Sequence, residues 1–530
     1  MSANRDTSAA HAFHAATKYT LVNEGESDED ILAGTPPNLE TAIWQEDWSI
    51  EPRPFKSYTT AESLALPREF APFTLPILDA IADPGPRPSS ATPYRDALAR
   101  ICLLSNGILK TGGHGTNRVI EYRAAGGTGA RYHLELYLVT GDLPELDAGV
   151  YHYDAKEHTF RVLRRGDHRA AIVEASGAEP SVAAAPAVIV ATSTFWRNAW
   201  RYKGRAYRHV FWDLGTTISN VLAVAAASEL SSKVVMGFVE DEVNHLLGID
   251  GQHESTVCLV PLGQGSQAAQ EAGQIEPLTL ETIQISAREV EFPLITSINN
   301  ATRLSDGAEV AEWRSNPLQR TLPQPAGKMI PHQPLASDAA PGMTVDDAIR
   351  RRRSTRNYDV ETPIPFDAVS TLLERSNRGA AIDCLDMGSP LVDPYLIVNN
   401  VEGLAQGSYA YHPEHSALEL LERGNMRERA TRLACAQEYA GAAHVDLYYL
   451  ADLEPILDHY GNRGYRVAQF QAALYASRLH LGTHALRLGA VGSTSLDDEV
   501  IDFFSPHAAG KSYLFILTFG KRRRRNEGRN

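Results

Sequence analysis

Hydrophobic and polar positions change period several times along the 530 residues, and each change marks an element. Over residues 132–139, Leu134, Leu136 and Leu138 alternate with other side chains, the period-two pattern of a strand. A hairpin is predicted next, because Val150-Tyr151-His152-Tyr153 and Thr159-Phe160-Arg161-Val162-Leu163 flank a polar turn at 154–158. The wholly apolar run from Ala187 to Ala191 reads as a buried central strand. After Arg208 the period lengthens: Phe211, Leu214, Ile218 and Leu222 recur at helical spacing and an alanine-rich stretch runs on to Leu230. A second long helix is predicted over 465–488, with Gly489 as its C-cap, and a shorter one over 367–376. Two acidic helix starts, Asp241-Glu242-Val243 and Asp498-Glu499-Val500, each precede a strand, at 256–262 and 512–519. Strands and helices are therefore mixed throughout, and the fold class is α+β.

The two long helices belong to a duplication. Tyr137 matches Tyr395, Gly149-Val150-Tyr151-His152-Tyr153 matches Gly407-Ser408-Tyr409-Ala410-Tyr411, and Arg165-Gly166 matches Arg423-Gly424, each pair 258 positions apart. The same offset carries Tyr202, Arg205, Tyr207 and Arg208 onto Tyr460, Arg463, Tyr465 and Arg466. A register this long is a duplicated domain, since solenoid units repeat every ~20 to 50 residues. It divides the chain into an arm (1–92), a first domain (93–263), a connector (264–345), a second domain (346–523) and a basic tail (524–530). The connector contains Pro323, Pro325, Pro331, Pro334 and Pro341 and is expected to run extended over the surface. Duplication inside one chain predicts an intrachain pseudo-dimer whose halves are free to diverge.

The formal charge of −15 and a hydrophobic fraction of 43% fit a chain with a substantial core and argue against a nucleic-acid surface. The basic run Lys521-Arg522-Arg523-Arg524-Arg525 ends in a solvated tail, at least for Arg524 and Arg525. Cys102, Cys258, Cys384 and Cys435 form no CxxC, and the histidines show no ligand spacing, so neither disulfides nor a metal are expected. The first nineteen residues lack the apolar core of a signal peptide, and the longest apolar run falls short of the ~20 residues that span a bilayer. A cytoplasmic protein that spans no membrane is the expectation.

Candidate chemistry begins at Arg351-Arg352-Arg353-Ser354-Thr355-Arg356, where guanidinium groups beside a hydroxyl make a fork of charged donors suited to a phosphate. The alternative is a solvated basic run at a helix end. Arg352-Arg353-Ser354-Thr355-Arg356-Asn357-Tyr358 resembles the entry motif of the FMN-dependent nitroreductases, whose basic residues and serine hold the FMN phosphate. Gly489-Ala490-Val491-Gly492-Ser493-Thr494 resembles the segment that approaches the flavin ring, and Lys521-Arg522 the basic pair that returns to the phosphate. In the first half, Phe13-His14-Ala15-Ala16-Thr17-Lys18-Tyr19, Pro54-Phe55-Lys56-Ser57-Tyr58, Gly126-Gly127-Thr128-Gly129-Ala130-Arg131 and Arg201-Tyr202-Lys203-Gly204-Arg205 resemble the SagB-type dehydrogenases. That resemblance implies FMN-dependent oxidation of thiazolines and oxazolines in a modified peptide, with dioxygen as acceptor and cyclodehydratase-type enzymes as partners. A nitro, quinone or enone reductase using NAD(P)H and a flavin-free leader-peptide-binding or scaffold protein are the rivals.

The halves differ where this chemistry would sit. The first lacks the arginine motif, having Pro84-Gly85-Pro86-Arg87 and Arg95 in that region, and the second has Leu385-Asp386-Met387-Gly388 in place of Gly127-Thr128-Gly129-Ala130. One composite site per chain is implied, with Arg352, Arg353, Ser354, Arg356, Gly492, Ser493, Lys521 and Arg522 from the second half and Gly127, Thr128 and Gly129 from the first. The dehydrogenases' Lys-Tyr pair is Arg201-Tyr202 in one half and His459-Tyr460 in the other. Azoline dehydrogenation requires a base for the Cα proton while a hydride leaves Cβ. Arg201 stays protonated but could lower the pKa of Tyr202, whereas His459 could accept a proton near neutral pH. Packing ahead of an interface helix is the alternative role for both tyrosines, and Arg205, Arg208, Arg463 and Arg466 are expected to pair with carboxylates or helix ends at the pseudo-dimer interface.

Overall fold

Two antiparallel sheets carry the duplicated sequence. The computed structural model describes residues 3–20, 47–87, 91–113, 119–265, 273–336 and 339–523; Arg524 and Arg525 of the basic tail lie outside them. In chain order the strands are Glu62–Ala65 (β1), Ile108–Gly113 (β2), Val119–Arg123 (β3), Leu134–Thr140 (β4), Gly149–Asp154 (β5), Thr159–Arg165 (β6), Ala187–Thr194 (β7), Glu254–Leu262 (β8), Lys328–Pro331 (β9), Asp393–Val398 (β10), Gly407–His412 (β11), Ala417–Arg423 (β12), Val445–Ala451 (β13), Leu488–Ser493 (β14) and Ser512–Lys521 (β15). The first sheet runs β1-β6-β5-β4-β7-β8 and the second β9-β12-β11-β10-β13-β15-β14, while β2 and β3 form a separate ribbon. The two orders match strand for strand, with β14 the one addition. In the first half the matching segment makes only isolated bridges to β8, at Ser232 and Val235.

Between the sheets lie the two long helices, Ala206–Ala227 and Arg463–Ala485, nearly all of whose residues are buried. They start slightly earlier than their apolar periods predict. Gly489 is not the cap of the second: that helix ends at Leu486, Arg487 makes the turn with φ +59°, and Gly489 lies inside β14 opposite Gly520. Gly489 is required there for space, because a Cβ would sit 2.2 Å from Thr355 Oγ1. The long helices cross where Gly215 of one touches Ala473 of the other, and a Cβ on Gly215 would lie 2.6 Å from the Ala473 methyl. Gly215 and Ala473 are themselves 258 positions apart, so a pseudo-two-fold axis passes through this contact.

Buried ion pairs cross the same axis in both directions. Arg205 Nη1 lies 3.0 Å from Asp497, which Arg208 also holds, and Arg463 and Arg466 lie 2.7 and 2.5 Å from Glu240 Oε1. Each half thus closes two guanidinium groups on a carboxylate at the acidic helix start of the other. Near the outer ends of the long helices, Ile77 N–H donates to Met343 and Val345 N–H to Leu75, a reciprocal bridge between the halves.

The arm and the connector are more structured than their composition predicts. Helix Ser8–Ala16 sets Phe13 edge-on against Tyr207 at 5.4 Å and Tyr465 at 5.7 Å, one matched tyrosine from each half. The connector, expected to be extended, contains helices Pro293–Ala301 and Gly307–Arg314 and the edge strand β9, because Ile295, Ile298 and Val310 are buried. One helical run, Phe195–Ala227, is long and apolar enough to cross a membrane, and 89% of its apolar window is covered by the rest of the fold.

Breaking either cross-axis cluster leaves buried guanidinium groups without a counter-charge, a loss of about 3–5 kcal/mol. Burial opposes ionisation of Asp497, but Arg205 and Arg208 outweigh it and hold its pKa below the usual value. A depressed carboxylate stabilises the fold above its unfolded pKa of ~3.9, and the contribution is lost as pH falls through the folded value. Asp497→Asn and Glu240→Gln are therefore each expected to shift urea unfolding at pH 7 markedly to lower denaturant. For Asp497→Asn the gap to the parent should narrow below about pH 4.

Candidate functional site

One cavity of about 280 Å³ opens between the halves and draws its walls from both. The first wall is the loop at 126–131. Asp213, the lone acidic residue of helix Ala206–Ala227, grips it: both carboxylate oxygens accept from Thr128 N–H at 2.9 Å and one accepts from Thr128 Oγ1 at 2.7 Å. His133 Nε2 lies 3.0 Å from the same carboxylate, and Thr216 Oγ1 donates to Gly126 O at 2.7 Å. Glycine is needed at 129, where φ is +59° and a Cβ would sit 2.5 Å from Tyr202 Oη. The Tyr202 hydroxyl can therefore lie against the loop backbone. Beyond it His209 and Trp212 continue the wall.

The opposite end is basic. Residues 352–356 run extended beside β14, with Ser354 bridging Ala490 and Thr355 N–H donating to Ala490 O at 2.9 Å. Alternate side chains of an extended segment point to one side. Arg352, Ser354 and Arg356 accordingly line the cavity, while Thr355 is buried beneath Gly489. Arg352 Nε donates to Ala124 O at 3.1 Å, and burial pushes the Arg352 guanidinium below its usual pKa. Among the described residues, no carboxylate lies within 4.0 Å of Arg352, Arg353, Arg356 or Arg522. Burial and the charge of Arg352 push His480, on the cavity wall, down to about 3, so it adds no charge at neutral pH. Two uncompensated guanidinium groups, those of Arg352 and Arg356, at one end of a cavity suit an anionic group of a ligand.

The third wall is β14 and its surroundings: Val491, Gly492, Ser493 and Thr494, backed by Phe515 and Leu517. A Cβ on Gly492 would lie 2.8 Å from the Phe515 ring. Tyr439 Oη is 2.7 Å from Ser493 Oγ, and Arg205 Nη2 donates to Thr494 Oγ1 at 2.9 Å, tying this wall to the ion pair on the axis. Tyr19, at the end of the arm, closes one side, stacked 3.9 Å beneath the Arg205 guanidinium.

The cavity thus gathers Gly127, Thr128, Gly129, Tyr202, Arg352, Ser354, Arg356, Gly492 and Ser493, but the remaining candidates lie elsewhere. Arg353 is engaged through its carbonyl, 3.3 Å from His480 Nε2. Lys521 faces Asp359 at 3.6 Å, and Arg522 donates to Leu488 O at 2.8 Å behind β14. Arg201 has its guanidinium 5.9 Å from the centre of the Tyr202 ring. It does not make Tyr202 acidic: burial raises the phenol's pKa more than Arg201 lowers it, so Tyr202 is a donor rather than a base. His459 Nε2 donates to Asn316 O at 2.6 Å on the surface, and Tyr460 Oη donates to Cys384 O at 2.7 Å while accepting from Leu318 N–H at 2.8 Å. Both are far from the cavity in their bonding.

At the place related to the cavity by the pseudo-axis a cleft remains, lined by Glu179, Lys233, Asp383, Leu385, Asp386 and Met387, and there the chain's own carboxylate takes the backbone donors. Met236 and Gly237 match Thr494 and Ser495, and their N–H groups donate to the Asp383 carboxylate at 2.8 and 3.0 Å. Trp313 of the connector packs on Gly237, where a Cβ would meet the indole at 3.0 Å. Of the residues that sequence motifs did not single out, Asp213 had a signal, a solitary carboxylate in an otherwise apolar helix. Trp212, Tyr439, His480 and Phe515 had none.

Comparison with known proteins follows the same division. The sequence profile of the nitroreductase family matches residues 112–264 and 349–521. A nitroreductase homologue from Methanocaldococcus jannaschii is 28% identical over 145 residues, 27% of this chain and 71% of its own length. The trifolitoxin-processing protein TfxB of Rhizobium leguminosarum bv. trifolii is 31% identical over 134 residues, 24% of this chain but only 36% of its own length. A crystal structure of a nitroreductase homologue from Anabaena variabilis aligns with a TM-score of 0.74 at 24% identity, over 98% of this chain and all of its own.

Asp213→Ala is expected to free the 126–131 loop, since hydrogen bonds to a carboxylate contribute about 1.5–3 kcal/mol each. Hydrogen exchange read by mass spectrometry should quicken about tenfold or more at Thr128 relative to β7. Unchanged protection there would show that the loop holds its shape without Asp213.

Proposed function

The chain belongs to the nitroreductase family, and from that premise we propose that it is an FMN-dependent oxidoreductase with one composite site per chain. The observation that carries the cofactor is the row of Arg352, Ser354 and Arg356, an uncompensated cationic end of the cavity, half-buried at Arg352 and open at Ser354 and Arg356, suited to the FMN phosphate. The glycine-lined walls at 126–129 and 491–494 leave a slot whose backbone a planar ring can approach. When bound, FMN would supply the two-electron acceptor that no side chain of the cavity can be.

The chain's own residues do the rest. Tyr202 presents a protonated hydroxyl at the first-half wall and orients whatever lies against the ring. Burial and nearby Arg205 push the His209 imidazole well below its usual range, so it stays neutral beside the cavity. Trp212, Phe515 and Tyr19 exclude water from the same space. The proposed substrate is an azoline within a modified peptide, oxidised to the azole. The resemblance of 134 residues to TfxB, a protein named for processing trifolitoxin, supports a substrate of that biosynthetic kind rather than a free small molecule. A partner that forms azolines from cysteine, serine or threonine must then precede this chain. A second reading, NAD(P)H-dependent reduction of nitro, quinone or enone compounds, is favoured by the relatives named as nitroreductases.

The full chain is expected to purify yellow with one equivalent of FMN, not two, because the related cleft presents the carboxylates of Glu179, Asp383 and Asp386 and lacks the arginine row. Replacing Arg352 and Arg356 together by alanine should weaken FMN binding at least about a hundredfold, at roughly 1.5–3 kcal/mol per charged hydrogen bond. Arg87→Ala should leave it unchanged. A colourless protein that ignores added FMN would sink the proposal. Rapid bleaching of the bound flavin by NAD(P)H would instead select the reductase.

A further inference from the structure

A cluster on the far side of the second sheet takes no part in the cavity. His412 ends β11, Glu419 lies on β12 opposite Ala410, and His507 follows helix Asp497–Phe504. His412 and Ala410 point to the same face, so Glu419 is the diagonal neighbour of His412. His412 Nε2 lies 2.8 Å and His507 Nε2 3.3 Å from Glu419 Oε2. We propose that His412, Glu419 and His507 form a divalent-metal site, with Zn²⁺ the ion their donor set suits.

The outer partners of these side chains aim the ligand atoms inward. His412 Nδ1 lies 3.2 Å from the Glu414 carboxylate, which can only accept, so a proton held on Nδ1 leaves Nε2 able to turn its lone pair to an ion beside Glu419. His507 Nδ1 is 2.9 Å from Tyr395 Oη, which also reaches the His507 carbonyl at 3.3 Å. With that hydroxyl proton on the carbonyl, Nδ1–H donates to Oη and Nε2 again faces inward unprotonated. His507 Nε2 is buried and has no hydrogen-bond partner. Glu419 Oε1 is occupied by the N–H groups of Ala326, at 2.8 Å, and Gly327, which leaves Oε2 for the shared centre. A proton on His412 Nε2 can bridge to Glu419 when no ion is bound, and a cation that replaces it would be met by two imidazole lone pairs and a carboxylate oxygen converging on one point. Outer oxygens that fix each imidazole are the usual companions of metal-ligating histidines.

Charge and size agree. Nearby Arg320 and Lys511 are matched by Asp393 and Asp452, so Glu414 and Glu419 remain as two negative charges that a dication neutralises. The three ligand atoms lie within 4.8 Å of one another, and a tetrahedral Zn²⁺ with bonds near 2.0–2.1 Å sets its ligands about 3.3 Å apart. A separate cavity of about 110 Å³, lined by His412, Glu414 and His507, gives an entry path and room for water as a fourth ligand. The duplication supplies an internal control: the matching positions of the first half are Asp154, Arg161 and Ile249, and there Arg161 and Asp154 form an ordinary ion pair at 3.0 Å. Only the second half acquired the ligands. Through the grip of Glu419 on Ala326 and Gly327, the ion would also fasten the connector to β12.

The test uses the full chain, stripped with chelator and titrated with Zn²⁺, with bound metal read by mass spectrometry and stability by thermal unfolding. One equivalent of zinc and a rise in Tm are expected, both lost in His412→Ala and in His507→Gln, with Glu414→Gln weakening binding about 10- to 100-fold. If those variants fail to fold, Co²⁺ added to the stripped parent should give the intense visible d–d bands of a tetrahedral site. No retained zinc with no change in Tm, equal zinc in the histidine variants, or a Co²⁺ spectrum like that of the free ion would overturn the proposal.

Discussion

Four buried guanidinium groups and two buried carboxylates, exchanged across a pseudo-two-fold axis, are the constraint on which the rest of this architecture depends. Arg205 and Arg208 can lose their hydration only because Asp497 of the other half meets them, and Arg463 and Arg466 only because of Glu240. A buried charge without its partner costs several kcal/mol, so neither long helix can settle without the opposite domain. The near contact of Gly215 with Ala473 then fixes how closely the helices cross. Together these contacts set the distance between the 126–131 loop of one half and β14 of the other, and hence the width of the cavity. Arg205 joins the two roles directly, holding Asp497 with one nitrogen and Thr494 of the cavity wall with another.

A symmetric pair of chains would have two equal sites. Here the symmetry is broken by small, local means. The first half carries Pro84-Gly85-Pro86 where the second carries arginines, and a proline can neither donate a backbone hydrogen bond nor bind an anion. The second half puts Asp383 against the Met236 and Gly237 amides, so a carboxylate of the chain itself uses donors whose counterparts, at Thr494 and Ser495, adjoin the open cavity. Trp313 then packs on Gly237 from the connector. The backbone symmetry survives because the sheets, the crossing helices and the reciprocal ion pairs do not depend on what occupies either site.

Much of this was legible in the sequence because the two halves are their own alignment. The offset of 258 located the matched strands, the long helices and the four interface arginines, since each is dictated by a local pattern or by a repeated residue. Alternation of Arg352, Ser354 and Arg356 along an extended segment also put these three on one side. What the sequence could not convey depends on distance in space. Lys521 and Arg522 share a strand end with the basic corner, yet one turns to Asp359 and the other to the Leu488 carbonyl. Tyr202 and Tyr460 are equivalent by register, but only the first lies in open space, because Leu318 and Cys384 occupy the hydroxyl of the second. The helices of the connector were obscured by its prolines, and the burial of Ile295 and Ile298 outweighed that composition.

Helix Ser8–Ala16 rests in part on residues more than 450 positions further along the chain. Asn4 and Ala10 bond to Tyr460 and Asn462 across 456 and 452 positions, and Tyr19 reaches Asp497 across 478. Residues 460–497 must therefore be made before this helix can dock fully, and contacts of such long sequence separation form slowly. Nascent fragments that stop short of residue 460 would leave Phe13 covered on the Tyr207 side alone, an invitation to chaperones during synthesis.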